Sequence, residues 1–159
     1  MKKDRLVLVL SSVFGLGYLP GAPGTFGTVA GVPFWALMSV LSVQLGLWSA
    51  VALTLAMIGV AIWISELAER IYGEHDVQHI VIDETVGLMV TSIGVPFRWP
   101  EVLIGFALFR LFDTVKPWPA GWADREVKGG FGVVLDDVFA GIMACLVLHV
   151  GHRAYGTWL

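Results

Sequence analysis

Residues 47–72 read LWSAVALTLAMIGVAIWISELAERIY, and no Asp, Glu, Lys or Arg occurs among them before Glu66. The uncharged run extends back along the chain as far as Arg5. A soluble domain of this size cannot enclose so long an uncharged segment, whereas a bilayer takes up about 20 apolar residues in each crossing helix. Charged residues make up 14% of the 159-residue chain, compared with about 25% in a typical soluble domain. The sequence therefore predicts an integral membrane protein.

Five apolar runs, separated by Gly and Pro, predict five helical segments. Two are long, two are short and one is C-terminal, and they span 28–43, 47–72, 85–95, 101–116 and 133–150. The short runs do not match a hydrocarbon core of about 30 Å, so their helices must tilt, thin the bilayer locally or be sheltered by the longer ones. The predicted fold is an all-α, polytopic membrane helical bundle that forms one membrane-embedded domain over residues 1–159.

Segments outside the five runs complete the expected organisation. Residues 6–14 are too few to cross a bilayer as a helix, so we expect an interfacial or re-entrant segment there. Residues 118–132 are expected to form a polar, glycine-rich loop. Tryptophans near the ends of the runs are typical of interface anchors; they are Trp48, Trp99, Trp118, Trp122 and Trp158.

Threading the runs alternately across the bilayer places almost every interior charge on one side. Lys2, Lys3 and Arg5 favour a cytoplasmic N-terminus, because cytoplasmic segments are enriched in basic residues. The acidic residues at the start of the third and fifth runs then lie on the cytoplasmic side as well. Carboxylates close to hydrocarbon are costly unless a partner or a function retains them. This distribution indicates a functional site at the cytoplasmic end of the bundle.

The candidate metal ligands are five carboxylates from three predicted helices: Asp83, Glu84, Asp113, Asp136 and Asp137. Clustered without cations they would repel one another, and several would bind protons. Mg²⁺ prefers oxygen ligands and is typically held by carboxylates together with substrate phosphate. The whole set therefore predicts a Mg²⁺ site.

Helix capping is an alternative explanation for single members of this set. Asp is favoured at helix N-caps, which explains Asp83 or Asp136 as well as metal binding does. Neighbouring helix positions also point about 100° apart, so we expect one residue of each adjacent pair to face away from the site. Capping does not explain all five residues.

Basic residues close to the carboxylates are candidate phosphate ligands. Arg110, Asp113 and Lys116 lie at positions i, i+3 and i+6 of one helix stripe, a spacing that fits internal ion pairs and phosphate binding equally. Lys128 precedes a second glycine-rich loop at 129–132. His79, beside the acidic segment, fits a surface or interfacial histidine better than a proton donor. His75 and Asp76 match a His/Asp metal hydrolase poorly.

Gly24 and Thr25 precede the first predicted helix in a stretch rich in Gly and Pro. Backbone N–H groups at a helix N-terminus bind anions, although a simple turn with a Thr cap explains these residues better when they are taken alone. The stretch lacks the Gly-Lys-Ser/Thr ending of a P-loop, so nucleotide binding is not indicated. No basic stripe is present, so nucleic-acid binding is not indicated either.

Four blocks of sequence carry a resemblance to a known family. They are LGYLPGAPGTFGT at 16–28, IVIDETVG at 80–87, FRLFDTVKPWP at 109–119 and GGFGVVLDDVFAG at 129–141. Together, and in this order, they resemble the phosphatidylglycerophosphatase A family. The resemblance implies a Mg²⁺-dependent phosphatase of the bacterial inner membrane, which converts phosphatidylglycerophosphate to phosphatidylglycerol and inorganic phosphate on the cytoplasmic side.

For such an enzyme we expect metal-assisted attack of water on phosphorus. The expected catalytic residues are Asp83, Glu84, Arg110, Asp113 and Asp137. The expected phosphate-binding residues are Gly24, Thr25, Arg110, Lys116 and Lys128. A covalent aspartyl-phosphate ranks second, because the Asp-x-Asp pattern that usually accompanies it is missing.

A transporter or ion pathway is the alternative function, because intramembrane carboxylates paired with basic residues also mark such pathways. Transporters place these groups near the bilayer midplane, between inverted repeats. In this sequence the charges gather at one end and no repeat is visible, which favours the enzyme.

Overall fold

Helices make up every regular element of the part of the chain that the structure, a computed structural model, describes. That part is residues 2–74 and 77–155, so His75, Asp76 and Trp158 lie outside it. The helices are α1 (Lys2–Ser11), α2 (Pro23–Leu45), α3 (Leu47–Tyr72), α4 (Ile82–Thr91), α5 (Trp99–Val115), α6 (Ala120–Glu126) and α7 (Gly129–Tyr155), with a short 3-10 turn at Leu16–Tyr18. The predicted all-α class is confirmed.

Three of these helices are long and apolar enough to cross a membrane: Pro23–Leu45, Leu47–Tyr72 and Gly129–Ala154. Only 22% of the most apolar part of the second one is buried within the protein. Large apolar side chains therefore face outwards along it, among them Leu55 and Trp63. Such a surface is the one that lipid tails cover.

The two short predicted runs form α4 and α5, of 10 and 17 residues. Every residue of α4 except Glu84 is buried, because α2, α3, α5 and α7 all pack against it. A helix of this length covers only about 15 Å. The longer helices therefore shelter α4, which is one of the arrangements expected for the short runs.

Close packing around α4 depends on glycines at the helix crossings. A Cβ at Gly31 of α2 would lie 2.9 Å from the Leu88 Cβ, and a Cβ at Gly141 of α7 would overlap the Gly87 carbonyl oxygen. The indole of Trp35 lies against Gly105 of α5 and donates a hydrogen bond to the Val95 carbonyl at 3.1 Å. The backbones of α2 and α7 can therefore approach α4 closely enough to exclude lipid.

Several boundaries differ from the sequence prediction; α4, for example, is Ile82–Thr91 rather than 85–95. Helix α2 begins at Pro23 rather than at residue 28, because Pro is suited to the first turn, where its missing N–H needs no partner. Gly24 and Thr25 therefore lie inside the helix instead of preceding it. The predicted loop at 118–132 contains α6 and the start of α7. The segment at 6–14 is mostly helical, and its Val7 packs against the core beside α3.

We predict that Gly141→Ala lowers the free energy of unfolding in detergent by about 1–3 kcal/mol, since the added methyl group overpacks the contact with α4. Gly59→Ala on α3 is the matched control, because a Cβ there meets nothing within 4 Å. The control should be neutral or slightly stabilising, as Ala is the better helix former. Equal thermal midpoints for the two variants would contradict this packing.

Candidate active site

The start of α4, the end of α5 and the first turns of α7 enclose a cavity of about 260 Å³. All five predicted carboxylates line it: Asp83, Glu84, Asp113, Asp136 and Asp137. Arg110 and Lys116 also line it, together with Gly24 from the first turn of α2. The structure thus brings residues from four helices to one end of the bundle.

Three of the carboxylates approach one another most closely. Asp83, Glu84 and Asp137 each offer one oxygen, and these oxygens all lie within 4.8 Å of one another. Asp83 and Asp137 are 8% and 3% exposed, so water screens their charges poorly. If all three were ionised, each pair would repel by about 3 kcal/mol at an effective dielectric constant of about 20. A cation between them would remove that repulsion.

The adjacent carboxylates do not diverge as we expected from helix geometry. An oxygen of Asp83 and an oxygen of Glu84 lie within 4.8 Å of each other and of Asp137, although neighbouring helix positions point about 100° apart. They lie in the first turn of α4, where the Oδ1 atom of Asp83 turns back to accept the Glu84 N–H at 3.1 Å. The longer side chain of Glu84 can therefore bend towards its neighbour.

Helix capping does not explain Asp83 or Asp136 in this structure. Val81 is the N-cap of α4. Asp136 lies two turns inside α7, about 10 Å along the helix from Gly129. Both Asp136 and Asp137 line the cavity.

The two cations of the cavity are paired with carboxylates. The Nη1 atom of Arg110 donates to the Oδ2 atom of Asp113 at 2.6 Å, one helical turn away. The Nζ atom of Lys116 donates to the Oδ2 atom of Asp136 at 2.8 Å, and also to Asp124 on α6. Both cations therefore form ion pairs. Arg110 pairs with a residue of its own helix, whereas Lys116 pairs with residues of α6 and α7.

Lys116 remains cationic in this setting. Burial of the amine opposes its charge, yet the hydrogen bonds that it donates to Asp124 and Asp136 outweigh burial and raise the pKa of Lys116 above its ordinary value. A positive charge at the cavity wall is suited to binding an anion.

The carboxylates of the cavity fit a hard divalent cation. The Oε2 atom of Glu84 and the Oδ1 atom of Asp136 are buried and accept no hydrogen bond from the described residues, a costly state for a charged oxygen. Five carboxylates face two cations among the described residues of the cavity wall, and none of those residues is His or Cys. An all-oxygen donor set favours Mg²⁺, Ca²⁺ or Mn²⁺ over zinc or copper.

Gly24 makes room for this arrangement at the start of α2. A Cβ at this position would overlap the Oε1 atom of Glu84 and would lie 3.0 Å from the Nη1 atom of Arg110. The absence of a side chain lets the first turn of α2 form one wall of the cavity. Thr25 lies in the same turn but does not line the cavity.

Lys128 lies apart from the other predicted phosphate ligands. It lines a second cavity of about 360 Å³ together with Glu66, Glu69 and Arg70. Glu66 accepts a hydrogen bond from the Gly130 N–H at 2.8 Å and from Arg70 at 2.9 Å. The glycine-rich stretch that follows Lys128 is therefore the first turn of α7, which Glu66 caps.

His79 contributes to the support of the site. Its Nδ1 atom lies 2.9 Å from the Gly17 carbonyl oxygen, and its ring centre lies 4.7 Å from that of Tyr18. The Tyr18 hydroxyl is in turn 2.6 Å from the Tyr72 hydroxyl. These contacts fasten the segment before α2 to the segment before α4.

Asp124 is the residue that the sequence interpretation missed. It occurs in a stretch that reads as a polar loop, and the only signal was its acidic side chain eight positions after Lys116. This spacing does not predict a contact by itself. The two side chains meet because α6 folds back on the end of α5.

Comparison with known proteins finds a family match over most of the chain. Residues 9–152 match the family model described as Phosphatidylglycerophosphatase A. The phosphatidylglycerophosphatase A of Escherichia coli K12 is 40% identical over 147 residues, which cover 91% of this chain and 83% of that protein. The protein of the same name from Haemophilus influenzae Rd is 36% identical over 88% of this chain and 85% of its own length.

A third relative carries a different name. It is a Bacteroides thetaiotaomicron protein, provisionally named phosphatidylinositol-3-phosphatase, and it is 37% identical over 98% of this chain and 100% of its own length. No solved structure matches the chain significantly.

Proposed function

The chain belongs to the phosphatidylglycerophosphatase A family and is a phosphatase, and we propose that its substrate is phosphatidylglycerophosphate. Water would cleave the terminal phosphomonoester and release phosphatidylglycerol and inorganic phosphate. The proposal rests on one observation above all: a cavity at one end of an apolar bundle where five carboxylates meet Arg110 and Lys116. The transporter alternative finds no support in the family.

The second part of the proposal is that catalysis requires Mg²⁺. Asp83, Glu84 and Asp137 would hold the ion, because their oxygens converge within 4.8 Å. Asp113 and Asp136 would complete the set from α5 and α7. Bound Mg²⁺ polarises phosphoryl oxygens and makes bound water more acidic.

The chain's own cations would bind the phosphate group. Arg110 carries five N–H donors in a fixed fork, and the bond from its Nη1 atom to Asp113 leaves other donors for phosphate oxygens. Lys116 would place a second positive charge against the same group. Both would stabilise the negative charge on the equatorial oxygens as the phosphorus–oxygen bond to glycerol breaks.

A carboxylate of the cavity would accept the proton of the attacking water. Glu84 is suited to this role, because it lines the cavity and only one of its two oxygens would be needed to hold the ion. The alkoxide that leaves phosphorus takes up a proton and becomes the free hydroxyl of the product. No covalent intermediate is needed in this sequence of steps.

We further propose that the cavity faces the cytoplasm of a bacterial inner membrane. The Val81 N–H donates to the Ser11 carbonyl at 2.9 Å, so α1 ends beside the start of α4. Helix α1 is too short to cross the bilayer, which puts the basic N-terminus and the cavity on the same side.

A cysteine in place of Glu126, with Cys145 removed, should react with an impermeant maleimide only after intact cells are permeabilised.

The purified protein should release phosphate from phosphatidylglycerophosphate in detergent, lose that activity in excess EDTA and regain it with Mg²⁺. Phosphatidylinositol 3-phosphate and phosphatidic acid complete the panel. Turnover of phosphatidylinositol 3-phosphate alone would contradict the proposed substrate. An undiminished rate in EDTA would contradict the metal requirement.

Arg110→Lys should reduce turnover by about a hundredfold or more, since lysine keeps the charge but loses the planar fork that binds phosphate through two hydrogen bonds. Arg125→Lys on α6 is the matched control, because Arg125 does not line the cavity. Both variants should keep the wild-type thermal midpoint within a few degrees. Wild-type turnover by Arg110→Lys would restrict Arg110 to its ion pair with Asp113.

A further inference from the structure

Helix α6 packs directly on the backbone of Lys116. This residue ends α5 with a left-handed backbone, at φ 48°, a conformation that residues other than glycine adopt only when their surroundings enforce it. Its N–H donates to the Phe112 carbonyl at 2.8 Å. Gly121 of α6 lies so close that a Cβ there would overlap the Lys116 carbonyl oxygen. The hydrogen bond to Phe112 and the contact with Gly121 therefore fix the backbone position of Lys116.

The ammonium group of Lys116 lies between two carboxylates with different surroundings. Asp136 lines the cavity and its side chain is 10% exposed. Asp124 does not line the cavity, and its side chain is 32% exposed. An ammonium group has three N–H donors. With two of them directed to Asp136 and Asp124, one is left for a phosphate oxygen.

We propose that Asp124 is a positioning residue, which holds the Lys116 ammonium at the cavity wall in the place where phosphate binds. This inference rests on the proposed phosphatase function. A partly exposed ion pair adds little to stability, so a purely structural role for Asp124 would leave phosphate binding unchanged. Ordering a long, flexible side chain on binding weakens affinity by about threefold to tenfold. An anchor that orders Lys116 beforehand removes that cost from substrate binding.

The test is Asp124→Asn, which keeps the shape of the side chain and removes its charge. We expect KM for the lipid and the inhibition constant of inorganic phosphate to rise together by about threefold to tenfold. Turnover at saturation should stay within about twofold, because binding is weakened equally in the ground and transition states. Glu126→Gln, at an exposed carboxylate of the same helix, should leave all three quantities unchanged.

Unchanged KM and unchanged phosphate inhibition in Asp124→Asn would overturn the proposal and leave a simple surface ion pair. A loss of turnover that follows a lower thermal midpoint would also overturn it, since that result assigns Asp124 to the stability of α6. If the wild-type protein releases no phosphate from any lipid of the panel, the proposed function fails. The upward shift of the thermal midpoint by inorganic phosphate then replaces KM as the readout for Asp124.

A double-mutant cycle tests whether Asp124 acts through Lys116. In a Lys116→Gln background, Asp124→Asn should have no further effect on phosphate binding, because the amine that it positions is gone. The shift of the thermal midpoint by inorganic phosphate measures this even where turnover is too slow to follow. Additive effects of the two substitutions would contradict the proposal.

Discussion

Mutual repulsion among buried carboxylates is the constraint on which the rest of this structure depends. Asp83, Glu84 and Asp137 offer oxygens within 4.8 Å of one another, at the end of a bundle whose exterior is apolar. Only Arg110 and Lys116 oppose the five acidic groups among the described residues of the cavity wall, and each already pairs with one of them. A fold gains nothing in stability from such a cluster, whereas the proposed binding of a cation and a phosphate group would account for it.

The carboxylates lie at one end of the bundle, and the long helices around them have apolar surfaces. Helix α4 carries the first two carboxylates on its first turn and is otherwise enclosed by longer helices. Glycines at positions 24, 31 and 141 let the neighbouring backbones close around it. The charged cavity thus opens at one end of α4, and the apolar remainder of that helix is sealed from lipid. If the substrate is the proposed lipid, its phosphate would reach the cavity from the head-group region.

Apolar runs and residue types predicted the long helices and the acidic residues of the cavity. The features that they did not predict depend on contacts between residues far apart in the sequence. Hydropathy located α2, α3 and α7 because a bilayer imposes a length and a composition that are visible in one segment. The five carboxylates were found because charge is conspicuous in so apolar a chain. The pairing of Lys116 with Asp136 and Asp124 joins three helices, so no local spacing reveals it. Lys128 was grouped with the phosphate ligands by its glycine-rich neighbours, and only the packing of α7 on Glu66 separates it from the site.

The stability of the purified protein with and without Mg²⁺ tests most directly whether the carboxylates form a metal site. The thermal midpoint of the wild-type protein should rise when Mg²⁺ replaces EDTA, because an ion that binds only the folded state stabilises it, by about 2.7 kcal/mol at a hundred times its dissociation constant. Asp137→Asn should have the higher midpoint in EDTA, since one of the repelling charges is gone, and should gain less from Mg²⁺. The metal site would be contradicted if the wild-type midpoint were the same in Mg²⁺ and in EDTA, and if Asp137→Asn had a lower midpoint than the wild type in EDTA.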